Sequence, residues 1–188
     1  MQSTAATPEK IDIAGQDWKV LPDIWETLAI TIPNKSMLVD PVHEGKAEYT
    51  YKQVNEMIKT GAAAFQGMGI SEGDIVSIFS ENSHKWLVAE QAVMKAGACN
   101  AVRGALAPVK ELQYIHDNSE SKGSVIETPA LLKAIYKEGG LFSAKHGVPK
   151  FIVVLFSGGS SGKELAESIG APAGTSVLSY EEFMASGS

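Results

Sequence analysis

Cysteine is almost absent: one thiol, Cys99, stands in 188 residues, so no disulfide can close within the chain and a reducing compartment fits best. Cys99 lies in the small-residue stretch KAGACNAV, which reads as buried. It has no charged or histidine neighbour close in sequence to make it a reactive thiolate. With one cysteine and four scattered histidines there is no zinc-ligand spacing. Basic surplus is also lacking, since 16 Lys and Arg face 22 Asp and Glu for a net charge of -6, and no basic stripe offers a nucleic-acid surface. No apolar run approaches the roughly 18 residues of a membrane-spanning helix. The opening MQSTAATPEKIDIAGQ has neither a basic n-region nor an apolar h-region nor an arginine, so no signal peptide is expected, and an intracellular setting, cytoplasmic or plastid, is.

What is present suits one well-buried core, with 44% apolar and 20% charged residues. Residues 1–19 are polar and aperiodic and are expected to be a flexible N-terminal segment, with a single α/β domain over 20–188. Leu21, Ile24, Trp25, Leu28 and Ala29 recur at helical spacing until Pro33. SMLVD and AEYTY, joined by PVHEGK, read as a hairpin at a sheet edge. Thr50 and Gln53 form a capping box that opens a helix with Val54, Met57, Ile58, Ala62, Phe65 and Met68 on its apolar face. The strand DIVSIF leads to the helix HKWLVAEQAVMKAG, with Trp86, Val93 and Met94 inward and Gly97 at its end. After the strand ACNAVRG come a helix opened by Pro108, the strand GSVIE, the helix LLKAIYKE closed by Gly139 and Gly140, and the strand PKFIVVLF. SVLSY and a second capping box, Ser179 with Glu182, finish the chain. Strands and helices alternate, and the strands are continuously apolar, as burial of both faces requires. The expected fold is α/β: a mostly parallel, doubly wound sheet with flanking helices and an edge hairpin.

Behind FIVVLF stands FSGGSSGK, residues 156–163, a run that raises the question of a phosphate cradle. Glycines let successive amides turn toward one anion, hydroxyls donate, and a lysine adds charge. A glycine-serine surface connector has the same composition. The template G-x-x-x-x-G-K-[ST] fails at Ser157 and at Glu164.

LPDIWETLAITIPNKSMLVD, EYTYKQVNEMIKTGAAAFQGMGISEGDIVSIFSENSHKWLVAEQAVMKAGA and KELQYIHDNSESKGSVIE, taken in this order and spacing, resemble the N-terminal part of the AMP-forming acyl-CoA synthetases and long-chain fatty acid ligases of the adenylate-forming superfamily. Val102-Arg103-Gly104 further resembles the acyl-acyl-carrier-protein synthetase branch. The resemblance implies a two-step ligase. A fatty acid carboxylate is activated by ATP and Mg2+ as acyl-AMP and passed to a thiol of CoA or of an acyl-carrier protein. Laid on the family loop T-S-G-T-T-G-x-P-K-G, SGGSSGK has Glu164, Leu165 and Ala166 where Pro, Lys and Gly belong. The resemblance therefore makes this run a connector and makes 20–188 a partial AMP-binding domain that stops short of the true phosphate loop. No catalytic or metal-binding residue is expected in the chain, which alone should be inactive. The resemblance leaves a homodimer and peripheral membrane association open.

Gly97 matches a family glycine beside the thiol channel; a helix C-cap would demand glycine equally. Arg103 could meet a phosphate or an acidic carrier-protein face, or form a surface ion pair. By the resemblance, Gln113 and Tyr114 stand where relatives carry arginines for the nucleotide end of CoA, which counts against CoA itself and leaves a carrier-protein thiol open. His84 and His116 fall on the polar sides of their helices and are expected to be solvated. Glu181 and Glu182 read as a helix's first turn rather than an acid pair. Two alternatives to the ligase are a non-catalytic α/β scaffold for oligomerisation or regulation, and a flavodoxin-like or Rossmann nucleotide binder. The latter lacks any G-x-G-x-x-G after a strand.

Overall fold

The computed structural model describes residues 17–137 and 149–188. Its elements, in chain order, are α1 (Asp23–Thr31), β1 (Ser36–Asp40), β2 (Ala47–Thr50), α2 (Tyr51–Gly67), β3 (Ile75–Phe79), α3 (His84–Lys95) and β4 (Cys99–Arg103). Then follow α4 (Val109–Ser119), β5 (Gly123–Ile126), α5 (Pro129–Lys137), β6 (Phe151–Val154), α6 (Gly162–Ile169), β7 (Ser176–Ser179) and α7 (Tyr180–Ser186). The helices begin where local chemistry allows: Thr50 with Gln53 and Ser179 with Glu182 make the two expected capping boxes in full. A third box, Ser161 with Glu164, opens α6, a helix that the sequence reading passed over.

β3 to β7 form one sheet in the order β4-β3-β5-β6-β7, every pair parallel. Alternate side chains leave its two faces, and both are covered. Val76, Ile78, Val125, Val153 and Leu155 pack beneath α2, α3 and α7 with Phe65, Ala92, Val93 and Phe183. Phe79, Ile126, Ile152 and Val154 pack beneath α4, α5 and α6 with Leu112, Leu132, Ile135 and Leu165. This is the doubly wound arrangement, and it explains the absence of polar alternation in the strands. The closing glycines expected at 139 and 140 lie outside the described residues, as do residues 1–16 of the N-terminal segment expected to be flexible. Residues 17–19 are joined to α1, through Trp18 Nε1 on Thr27 Oγ1 (2.9 Å) and the Lys19 amide on Asp23 Oδ2 (2.8 Å).

Several expectations are corrected. The hairpin β1–β2 is a separate two-stranded antiparallel sheet and not an edge of the parallel one, because α2 starts directly after Thr50 and the hairpin seats against α2 and α3 instead. Cys99 is exposed, since β4 is an edge strand of the described sheet. Leu21 precedes α1 and is exposed. Phe65 is fully buried as expected, whereas Trp86 and Met94 are only partly so.

Close packing at β5 yields a first prediction. A Cβ built on Gly123 would run into the Phe151 ring on the neighbouring strand. Gly123→Ala should therefore lower stability by about 1–3 kcal/mol through overpacking, read as a lower urea midpoint at unchanged m-value. At α1, Asp23 accepts from Lys95 Nζ (2.7 Å) and from the amides of Lys19 and Val20. The Lys95 ammonium first, then those amides, hold its carboxyl at about 2. A depressed folded pKa contributes stability above the unfolded value near 4 and loses it as pH falls toward the folded one. Urea midpoints of the native chain and of Asp23→Asn should thus differ steadily at neutral pH and converge between about pH 4 and 2.

Candidate functional site

At the carboxyl ends of the parallel strands, where open α/β sheets hold their ligands, the hairpin turn, the start of α3, the loop after β6 and the start of α7 converge. Ser83 caps α3 by accepting from the Trp86 amide at 3.0 Å, which sets His84 and Lys85 in the first turn. Asp40, at the end of β1, turns the hairpin by accepting from the amides of Val42 and His43, each at 3.1 Å. Its other oxygen accepts from the His84 amide at 3.0 Å and faces Nδ1 of His84 and of His43, each at 2.9 Å. Burial pushes Asp40 up, but the His84 ring and the amides of His84, His43 and Val42 together hold it well below the usual carboxylate range. One buried anion thus pins the hairpin to α3.

Lys85 lies beside this anchor and is only 4% exposed. A buried ammonium must have every proton satisfied, and it does. Nζ donates to Glu44 Oε1 (2.7 Å), to Glu181 Oε1 (2.8 Å) and to the Leu155 carbonyl (3.0 Å). The rings of Tyr180 and Phe156 stand 4.8 and 5.1 Å from it. Burial raises Glu181, yet the Lys85 ammonium, the Glu181 amide and the Ser179 hydroxyl together outweigh it and the carboxyl is lowered. Glu44 Oε2 also faces Nε2 of His84 at 3.4 Å. The His43 ring stacks on Phe156 at 4.7 Å, which couples the hairpin to the serine-glycine run that Phe156 begins.

That run divides in two. Its second half forms the start of α6, where the amides of Ser161, Gly162 and Glu164 are already engaged. The Ser161 amide donates to Glu164 Oε2 and the Gly162 amide to Glu182 Oε2, each at 2.8 Å. Gly162 is glycine because a Cβ there would strike the Val177 carbonyl of β7. Lys163 projects into solvent, with Nζ 4.0 Å from Glu167. Two carboxylates stand where a phosphate-loop reading would put the anion, and its lysine points away. The first half, Ser157 to Gly159, lines a cavity of about 350 Å³ together with Glu44, Lys85 and Glu181.

The two residues tied by resemblance to the thiol and carrier sit apart from this cluster and from one another. Gly97 follows α3 at a φ of +91°, at the amino end of β4. Arg103 closes β4 at the carboxyl end, and the strand from Cys99 to Arg103 alone spans roughly 13 Å at 3.3 Å per residue. Its Nε donates to Glu111 Oε1 at 2.6 Å on the surface. The histidines overturn expectation: His84 is 1% exposed between Asp40 and Glu44. His116 is also buried, against Ser77 Oγ (2.9 Å) and Ser124 Oγ (3.1 Å) on β3 and β5. Both rings face polar partners contributed by distant elements, which helical periodicity does not register. Asp40, Glu44, Lys85 and the pairing role of Glu181 had not been singled out from sequence. One signal was available: α3 carries His84 and Lys85 in its first turn with no acidic residue there, against the helix dipole, which calls for carboxylates from elsewhere.

Among the described residues no group of three or more His, Cys, Asp or Glu side chains could hold a metal ion. No described helix is long and apolar enough to cross a membrane.

The model of the AMP-binding enzyme family matches residues 26–172. The chain is 32% identical over 175 residues to probable acyl-activating enzyme 16, chloroplastic, of Arabidopsis thaliana, covering 93% of this chain and 23% of that protein. It is 33% identical over 149 residues to the chloroplastic long-chain-fatty-acid acyl-carrier-protein ligase AEE15 of the same plant, covering 79% of this chain and 20% of that one. The chain thus spans under a quarter of the length of these curated relatives. Among solved structures it is similar to the anthranilate CoA ligase AuaEII in complex with anthranoyl-AMP, with a TM-score of 0.70 at 21% identity over 89% of this chain and 28% of that one. It is also similar to the N-terminal domain of FACL13 from Mycobacterium tuberculosis, with a TM-score of 0.64 at 20% identity over 84% and 37%. These two likenesses concern the fold.

Proposed function

The chain belongs to the AMP-binding enzyme family, and from that premise we propose that it is the N-terminal portion of an ATP-dependent ligase that activates a fatty acid carboxylate as acyl-AMP and passes the acyl group to a thiol. The observation that carries this reading is the family match across residues 26–172, most of the folded core. The acceptor in this reading is an acyl-carrier protein rather than CoA. Support comes from the relative that is itself an acyl-carrier-protein ligase, and from Gln113 and Tyr114 at positions where the CoA branch carries arginines. Chloroplastic relatives support a plastid setting.

ATP and Mg2+ do not fit the described residues. The Ser161 and Gly162 amides are taken by Glu164 and Glu182, Lys163 faces solvent, and no carboxylate group of metal-binding size exists among the described residues. The reading therefore assigns the triphosphate loop, magnesium ligands and catalytic lysine to sequence beyond Ser188, and keeps 20–188 as a partial domain. To this chain it assigns scaffold, Gly97 beside the thiol channel, and Arg103 as the exposed cation offered to the carrier.

Fatty-acid-dependent ATP–pyrophosphate exchange tests it. Exchange is expected from the chain joined to its downstream coding sequence and not from the 188 residues alone. Turnover by the 188 residues alone would overturn the division of labour. A joined protein without exchange on any long-chain acid would overturn the ligase assignment.

A further inference from the structure

The first half of the serine-glycine run is unused by the network around it. Ser157 is 7% exposed and lines the 350 Å³ cavity, yet no hydrogen bond among the described residues engages its hydroxyl, or the amides of Ser157, Gly158 and Gly159. Across the cavity stands Lys85, whose ammonium holds two carboxylates. Of the two, Glu44 is the one delivered by a turn rather than by a helix. Its backbone has a φ of +51°, and Gly45 and Lys46 follow at +76° each, so the turn that delivers it is left-handed over three residues, two of them not glycine. Its side chain is 49% exposed, so it can reach water without rearranging the core.

We propose that this cavity is a binding site for a small carboxylate ligand, which takes the place of Glu44 on Lys85 and accepts a hydrogen bond from Ser157. On the ammonium itself one carboxylate replaces another while Glu181 stays, and the displaced Glu44 carboxylate is taken up by water. The exchange gives the Ser157 hydroxyl an acceptor. A phosphate dianion is disfavoured, because it would add a second negative charge beside Glu181, whose Oε1 is 2.8 Å from the same Nζ. Glu44 is thus a tethered occupant, and the serine-glycine run cradles an anion with the lysine of α3 in place of its own Lys163. The inference stands on Lys85, Glu44 and Ser157 and is independent of the ligase reading.

Amide chemical shifts of the whole chain, titrated with sodium acetate, sodium phosphate or sodium chloride at equal ionic strength and neutral pH, test it. Acetate should shift Ser157, Gly158 and Gly159 saturably. Glu44→Ala, which removes the competitor, should tighten the apparent Kd about tenfold, and Ser157→Ala should weaken it about fivefold. Lys85→Met should abolish saturation. An equal response to chloride, or an unchanged one in Lys85→Met, overturns the site; tighter binding of phosphate than of acetate overturns the carboxylate class. If Lys85→Met does not fold, the other two variants decide, and indifference of the acetate response to both overturns the proposal.

Discussion

The double variant Glu44→Ala/Glu181→Ala is expected to lose about 3–5 kcal/mol of stability, far more than the sum of its single changes. Each single change leaves Lys85 with one carboxylate and the Leu155 carbonyl, so the ammonium stays compensated. Removing both leaves a cation, 96% shielded from water, with a carbonyl and two aromatic faces. The asymmetry matters, because Glu44 and Glu181 are half or more exposed and can be solvated when Lys85 is the residue removed, whereas Lys85 cannot follow them out. Lys85→Met should therefore be the milder lesion, and adding it to the double variant should recover most of the loss. For a chain of this size the double change corresponds to a fall in Tm on the order of 10 °C. Additive single effects totalling less than about 1 kcal/mol would mean that Lys85 behaves as a surface lysine.

Asp40→Ala should be comparably severe. The carboxylate satisfies three amides and faces two imidazoles, and its loss leaves the buried His84 amide and ring without their acceptor while the Val42 and His43 amides turn to water. An orphaned buried donor costs about 1–3 kcal/mol, and with the hairpin anchor also lost a fall of about 2–4 kcal/mol is expected from denaturant curves. Asp40→Asn keeps the volume and separates charge from shape. Because the folded pKa of Asp40 is depressed, the stability the charge contributes is complete above the unfolded value near 4 and wanes below it. The gap between the native chain and Asp40→Asn should hold level from about pH 5 to 8 and narrow under pH 4. A gap that instead widened in acid would show that the anion is not what the amides recognise.

The architecture was readable because its determinants are local or periodic. Thr50 with Gln53 and Ser179 with Glu182 signal helix starts within four residues, and runs such as FIVVLF signal two-sided burial. The same rule applied to KELAESI would have found α6, but the glycines and serines before it drew the reading toward a loop. The cluster at the carboxyl edge was not readable. Lys85 lies 41 residues from Glu44 and 96 from Glu181 in sequence, and His84 and Lys85 sit where a polar helical face is expected. Only the tertiary arrangement turns that face inward, toward Asp40, Glu44 and Glu181. Cys99 misled for the converse reason: small residues signal close packing, but a strand's exposure depends on its place in the sheet.

The order β4-β3-β5-β6-β7 bears on how the molecule is made. The sheet's first strand in sequence lies in its interior, and each later strand joins one already synthesised. No neighbouring pair is linked by a tight turn, so ladders cannot zip from a hairpin and refolding from denaturant should be slow. On the ribosome the same order is an advantage: every strand that emerges meets a waiting edge, and assembly proceeds outward from a centre laid down early.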